Sequence, residues 1–310
     1  MLENLRRKSL TKTYNDPIHQ VHFESGLARY ENHLSTYQCI NQYKQKLSKK
    51  KINRPFPNTF DQASKEFRLF DFSLGATNFN MIYCPKGTFT MGHRNQWDNK
   101  PRTETIDVPF LLGETEFTQE LYERVGGNEE DLSDFENRFH PIVSISWEDT
   151  ISICNKLSKL QGLDLCYTKK SSTKFDWHCD FTKNGYRLPT EKEWEYAAKA
   201  GTQNQWAGTD DPNKLEEYAW FQENSKGSTQ SVRTKAPNEW GFYDMSGNVS
   251  EWCWDKANPL SFNFNTDRSI RGGYWSTTDI SHLCSAFRYG IPPSSYGGSL
   301  GFRVCRSIVN

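Results

Sequence analysis

The last stretch of the chain, from Arg271-Gly-Gly-Tyr-Trp-Ser to Leu300-Gly-Phe-Arg-Val-Cys305, limits the fold more than any other part. A glycine pair opens it, Pro292-Pro293 divides it, and a Gly-Phe-Arg-Val segment, read as a strand, closes it. Glycine and proline are the strongest local punctuators of structure. Between the anchors lie Tyr274, Ser276, Thr277, Thr278, Asp279, His282, Phe287, Tyr289, Ile291, Ser294, Ser295 and Tyr296. No Lys, Glu, Gln or Met follows Lys256, although these residues are spread through the earlier chain. Aromatics, hydroxyls and glycines are what a binding surface uses: tyrosine supplies amphipathic contact area, and serine and glycine supply adaptability. The same composition also suits an irregular, loop-rich core, so the decision rests on motifs upstream.

At 310 residues the chain has room for one to three domains and a large core. A net charge of +0 and a pI near 7.0 signal neither a nucleic-acid nor a membrane partner. Mean hydropathy is low at -0.82, yet 14% of residues are aromatic and ten are Trp. Together these values fit a folded, loop-rich protein whose core relies on rings more than on aliphatic runs. No apolar run approaches the ~20 residues of a membrane span. The opening Met-Leu-Glu-Asn-Leu-Arg-Arg-Lys carries charge without an apolar region after it. As it stands the sequence reads as cytoplasmic, or as surface-displayed or secreted if a leader was removed. The eight cysteines (39, 84, 154, 166, 179, 253, 284 and 305) contain no CxxC pair, which reads as buried free thiols rather than a disulfide or zinc framework.

Residues 1–75 read as a basic, helical amino-terminal extension. Leu27, Tyr30, Leu34 and Tyr37 place a helix around 24–47, and Lys49-Lys50-Lys51 reads as a solvated face. His19, His22 and Glu24 form an H-x-x-H-x-E string. It is similar to the iron-binding string of ergothioneine-type sulfoxide synthases but one residue short, and reads as polar side chains exposed on the surface. The main domain spans 76–310. Alternation around Pro85-Lys-Gly87 predicts a β-hairpin, and Pro109–Thr118 predicts a strand leading to a Thr118 cap and a helix over 119–125. A second helix is expected over 148–161, with Ile151, Cys154, Leu157 and Leu160 on its inner face and Gly162 ending it. In Tyr186-Arg-Leu-Pro-Thr-Glu-Lys-Glu-Trp-Glu-Tyr-Ala-Ala-Lys-Ala-Gly201, Thr190 and Glu193 complete a capping box, Trp194 and Ala197-Ala198 face inward, and Gly201 stops the helix. Arg187 is either a buried ion-pair anchor or a ligand contact. Asn238–Trp252 is a glycine-punctuated loop entering a strand, with acids at Asp244 and Glu251.

Taken in order, these segments resemble the formylglycine-generating-enzyme (sulfatase-modifying factor) family over about residues 78–306. The motifs are Pro-Lys-Gly-Thr-Phe-Thr-Met-Gly92, the Tyr186–Ala198 run, Gly241-Phe-Tyr-Asp-Met-Ser-Gly-Asn-Val-x-Glu-Trp252, Arg271-Gly-Gly-x-Trp275 and Leu300-Gly-Phe-Arg303. The resemblance implies an α+β, loop-rich, C-type-lectin-like fold with two helices flanking a twisted antiparallel sheet. The family contains oxidases that convert a sulfatase cysteine to formylglycine, and non-catalytic members that bind ligands.

The oxidases hold copper between two cysteines a few residues after the Gly-Gly element, a pair of soft thiolates for one soft metal ion. Here Ser276 or Thr277 stands where the first cysteine would fall, and Cys284 is alone. The window is instead similar to the variable region of diversity-generating-retroelement proteins, whose pattern continues through Ala-x-Arg, a proline and Gly-Phe-Arg. Ala286-Phe-Arg288, Pro293 and Gly301-Phe-Arg303 follow that spacing, placing a variable region at about 271–304. Diversification of adenines in Asn codons cannot yield Lys, Glu, Gln, Met or Trp. Between Tyr274 and Leu300 only Trp275 breaks that rule, and it occupies the fixed position of the motif. The resemblance thus implies a ligand-binding protein, not an enzyme, with no required cofactor. Its expected contact residues are Tyr274, Ser276, Thr277, Asp279, His282, Phe287, Tyr289, Ile291, Ser294, Ser295 and Tyr296, meeting a protein or other macromolecule. Asp244, Gly247, Val249 and Glu251 match a family loop that binds structural calcium through hard oxygen ligands. The other reading is that the two acids cap a tight turn. The rival functions are the oxidase itself and an assembly module in which residues 1–75 bind the partner.

Overall fold

A computed structural model describes residues 69–74, 77–94, 96, 99–127, 137–257 and 266–308. The expected helix around 24–47, the lysine run, the His19/His22/Glu24 string and Cys39 lie outside the described residues. In chain order the strands begin with β1 (Leu69–Leu74), β2 (Thr77–Cys84), β3 (Gly87–Met91), β4 (Arg102–Ile106) and β5 (Phe110–Gly113). Helices α1 (Gln119–Arg124) and α2 (Trp147–Leu160) follow, then β6 (Tyr167–Lys169), β7 (Trp177–Cys179), β8 (Tyr186–Arg187) and helix α3 (Glu191–Lys199). The carboxy-terminal part supplies β9 (Ser250–Lys256), β10 (Arg268–Arg271), β11 (Arg288–Ile291), β12 (Leu300–Gly301) and β13 (Cys305–Ser307). The sheet begins at Leu69, upstream of the boundary drawn at 75/76, because β1 pairs along its whole length with β2.

The first sheet has the order β1-β2-β5-β13-β8 and the second β11-β10-β9-β12, and β3-β4 and β6-β7 form two further two-stranded sheets. Strand alternation explains how the first sheet serves two cores, since successive side chains point to opposite faces. Met81 and Leu111 join Ile151, Cys154 and Leu157 of α2. Their neighbours Ile82 and Leu112 join Trp194, Ala197 and Ala198 of α3. The last strand, β13, pairs with both β5 and β8 and so lies inside the sheet.

The helices follow their caps. Thr118 Oγ1 accepts from Leu121 N–H, Ser146 forms a capping box with Asp149, and Thr190 forms one with Glu193. Such caps satisfy amide donors that the first turn leaves without partners. Arg187 resolves as the ion-pair anchor. It is buried, its guanidinium reaches both Glu193 oxygens at 2.8 and 2.7 Å, and its Nε donates to Ser307 Oγ.

Three local expectations need correction. Pro85-Lys-Gly87 does not turn a hairpin: β2 pairs with β1 and β5, whereas β3 pairs with β4. Alternating apolar residues mark strands without saying which strands are partners. Leu160 is not on the inner face but 57% exposed, because the last turn of α2 runs past the core before the chain reverses at Gly162 (φ +67°). The closing Gly-Phe-Arg-Val segment is not one strand; Phe302, Arg303 and Val304 form a buried link between β12 and β13.

Candidate ligand-binding face

The 271–304 segment is fastened at its start by a buried charge cluster. Arg271 donates to Glu195 Oε2 at 2.5 Å, and Lys199 lies 3.4 Å from Glu195 Oε1. Asn99 Nδ2 and Gly92 N–H donate to the same carboxylate. All of these groups are buried; Arg271 Nη2 also donates to Ser285 O, while its Nε and Nη1 have no hydrogen-bond acceptor. Glu195 was not singled out from sequence. Its signal was a charge at the inward i+4 position of a capped helix, facing the Arg of Arg-Gly-Gly.

Gly272 and Gly273 follow with φ of +93° and +71°. A Cβ on Gly273 would stand 2.7 Å from Leu283 Cδ2 and 2.9 Å from the His282 carbonyl oxygen, so a larger residue would displace the turn behind it. Trp275 then ties the two ends of the window together. Its amide donates to Asn248 O and its indole Nε1 donates to Gly298 O, both at 2.9 Å. Ser144 N–H reaches Gly297 O, and Trp147 N–H reaches Pro293 O. In the middle, β11 is the edge strand of the second sheet, held in register with β10. The window is therefore a series of loops fixed at many points on a rigid frame.

The candidate contact residues divide into two groups on that frame. Tyr296 is 75% exposed, Tyr289 55% and Tyr274 37%; Asp279, His282 and Ser294 are also exposed. Ser276 and Ser295 are half-buried, and Ser276 Oγ donates to Gln222 Oε1. Phe287 is half-buried and stacks on His282 with ring centroids 4.3 Å apart, so these two present one composite surface. Thr277 is a correction. It is buried, not exposed, and its hydroxyl accepts from Tyr274 N–H in a tight turn. Ile291 is likewise half-buried against the α2 core.

Cys284 and Cys305 are free and buried, and burial pushes both thiols above their ordinary pKa. A neutral buried thiol is a poor nucleophile and a poor metal ligand.

The 244–251 loop is committed elsewhere too. Arg303 reaches Glu251 Oε1 and Oε2 at 2.6 Å each, and Trp194 Nε1 donates to Oε2 at 2.7 Å. Asp244 Oδ2 accepts from Arg233 N–H, while Asp244 Oδ1 is buried without a partner. Glu116 completes the group, accepting from Val249 N–H and Asn248 Nδ2. Burial raises Asp244 to about 6, and burial with the Asp244 and Glu251 charges raises Glu116 well above the usual carboxylate range. The positive charge that meets Glu251 in this arrangement is the Arg303 guanidinium. Among the described residues no set of three His, Cys, Asp or Glu is placed to hold a metal ion.

Comparison with known proteins agrees with the architecture. The family model described as Sulfatase-modifying factor enzyme 1-like domain matches residues 68–308. Chaperone protein LppX of Paenibacillus barcinonensis is 32% identical over 231 residues, covering 64% of this chain and 80% of that protein. The formylglycine-generating enzyme of Mus musculus is 28% identical over 193 residues, covering 53% of this chain but only 43% of the enzyme. Among solved structures, Treponema denticola variable protein 1 aligns with a TM-score of 0.71 and 32% identity, covering 77% of this chain and 99% of that one. The fold is thus the α+β, C-type-lectin-like fold of the formylglycine-generating-enzyme type. No helix among the described residues is long and apolar enough to cross a membrane.

Proposed function

The chain belongs to the sulfatase-modifying factor enzyme 1-like domain family, and within it we propose a non-catalytic receptor that binds a protein or other macromolecular ligand through residues 274–296, as a variable protein of a diversity-generating retroelement. One observation carries this reading: Tyr274, Tyr289 and Tyr296 project from a window whose backbone is pinned by Arg271, Trp275 and β10. Side chains there can change without disturbing the frame, and rigid aromatic anchors give contact area at low entropic cost. The likeness to Treponema denticola variable protein 1 supports the same reading.

The oxidase reading draws on the mouse formylglycine-generating enzyme. Against it stand Ser276 and Thr277, whose hydroxyls stay protonated at neutral pH and bind soft metals poorly. Incubated aerobically with copper, reductant and a cysteine-containing sulfatase peptide, the protein is expected to leave the peptide mass unchanged. Copper-dependent conversion of that cysteine to formylglycine, abolished by Cys284→Ser, would overturn the proposal. An assembly role is the second reading, favoured by the identity to a protein named as a chaperone. It predicts an invariant 274–296 face.

A further inference from the structure

A cavity of about 550 Å³ opens between the β6–β7 hairpin, the end of β9 and the start of β10, with Pro293 on its wall. Its size lies within the ~300–1,000 Å³ of small-molecule sites. Trp177, Trp254 and Phe175 give it flat apolar walls, and Arg268 stands among them.

Arg268 is only 9% exposed, with its guanidinium 3.9 Å from the Trp147 ring centroid and 5.3 Å from that of Trp254. Its Nη1 donates to Trp254 O at 2.9 Å, while its Nε is buried and donates to nothing. A buried donor without an acceptor carries the full cost of its lost hydration. Stacking on tryptophan eases the charge but gives the N–H groups no acceptor. Burial accordingly lowers Arg268 to about 10. Asp255, which also lines the cavity, accepts from Glu191 N–H through Oδ2 at 2.6 Å and makes no hydrogen bond to Arg268 Nε.

The rim adds more positive charge. Lys170, Lys174 and Lys256 also line the cavity, and none of them makes a salt bridge among the described residues. Asp176, the other lining acid, accepts the Ser171 hydroxyl at 2.6 Å. Four basic groups thus line the cavity against two acids.

We propose that this cavity is a binding site for a small organic anion, a flat aromatic body carrying a carboxylate or phosphate group. The body lies against Trp177 and Trp254, and the anionic oxygens meet Arg268 and the rim lysines. This goes beyond the reading of the 274–296 face: it needs neither a diversified window nor a macromolecular partner, and either can fail alone.

Isothermal titration of the full chain at constant ionic strength, with benzoate, phenyl phosphate and neutral benzamide as probes, tests the proposal. At least one anion is expected to bind saturably at one site per chain, with benzamide silent. The tighter of the two anions assigns the group as carboxylate or phosphate. Lys170 and Lys174 are exposed, so Lys170→Ala/Lys174→Ala should keep the wild-type circular dichroism and melting curve while weakening that anion by about fivefold. Failure of both anions to saturate, equal binding of benzamide, or undiminished binding by the double variant overturns it.

Discussion

Replacing Phe302 by alanine should separate the frame of this protein from its face. Phe302 is fully buried between the short β12 and β13, and its ring stacks on Phe117 with centroids 4.9 Å apart. Its carbonyl accepts from Phe117 N–H, so ring and backbone hold the same two segments together. Truncating a buried phenylalanine costs about 3–5 kcal/mol, since transfer and cavity terms add. In a domain of this size each kcal/mol shifts Tm by roughly 2–4 °C, so Phe302→Ala should melt about 6–20 °C below the parent. Tyr289→Ala/Tyr296→Ala removes two rings, one more than Phe302→Ala, from the same window. Surface changes usually stay within about 0.5 kcal/mol each, so this variant should melt within about 4 °C of wild type. Differential scanning calorimetry of the three proteins gives the comparison. A tyrosine variant that falls as far as Phe302→Ala would mean that the rings are structural, and the separation would be wrong.

Two further outcomes follow from the buried charges. Because Arg303 already neutralises Glu251, melting curves in excess EDTA and in millimolar calcium should coincide; a lower Tm in EDTA would restore the calcium loop. Asp255 is raised by burial, and then by Glu191, to about 6, above its unfolded value near 4. A raised carboxylate pKa stabilises the fold below the unfolded pKa, and that contribution is lost as pH rises through the folded one. Asp255→Asn keeps an acceptor for Glu191 N–H but cannot titrate, so its stability relative to wild type should climb between pH 4 and 6 and then level. A flat difference across denaturant titrations at those pH values would contradict the burial argument.

What could be read in advance was local or motif-borne. The Thr190/Glu193 box, the Thr118 cap, the inward Trp194 and the Arg187 ion pair needed only near neighbours in sequence, and all four are present. The exposed tyrosines lie in the window that the family resemblance of the 271–304 motifs marked out. Long-range pairing was not legible: the partners of β2 are β1 and β5, not β3 across the turn at Pro85. The burial of Thr277 was hidden because a hydroxyl serves equally well in a turn or at a surface. Arg268 and its cavity were missed because Trp177, Trp254 and Lys170 come from separated segments that only the fold brings together.

The claim that 274–296 is an interchangeable face on an invariant frame is most directly tested in the DNA. The gene and its flanks should be sequenced across many isolates or a growing population. The expected result is adenine-directed replacements concentrated at the exposed codons, among them those of Tyr274, Asp279, His282, Tyr289, Ser294 and Tyr296. Codons for Trp275, Arg288, Phe302 and Arg303 should stay fixed, with a near-copy of the segment beside a reverse-transcriptase gene. A window no more variable than the rest of the gene, with no near-copy, would contradict the account.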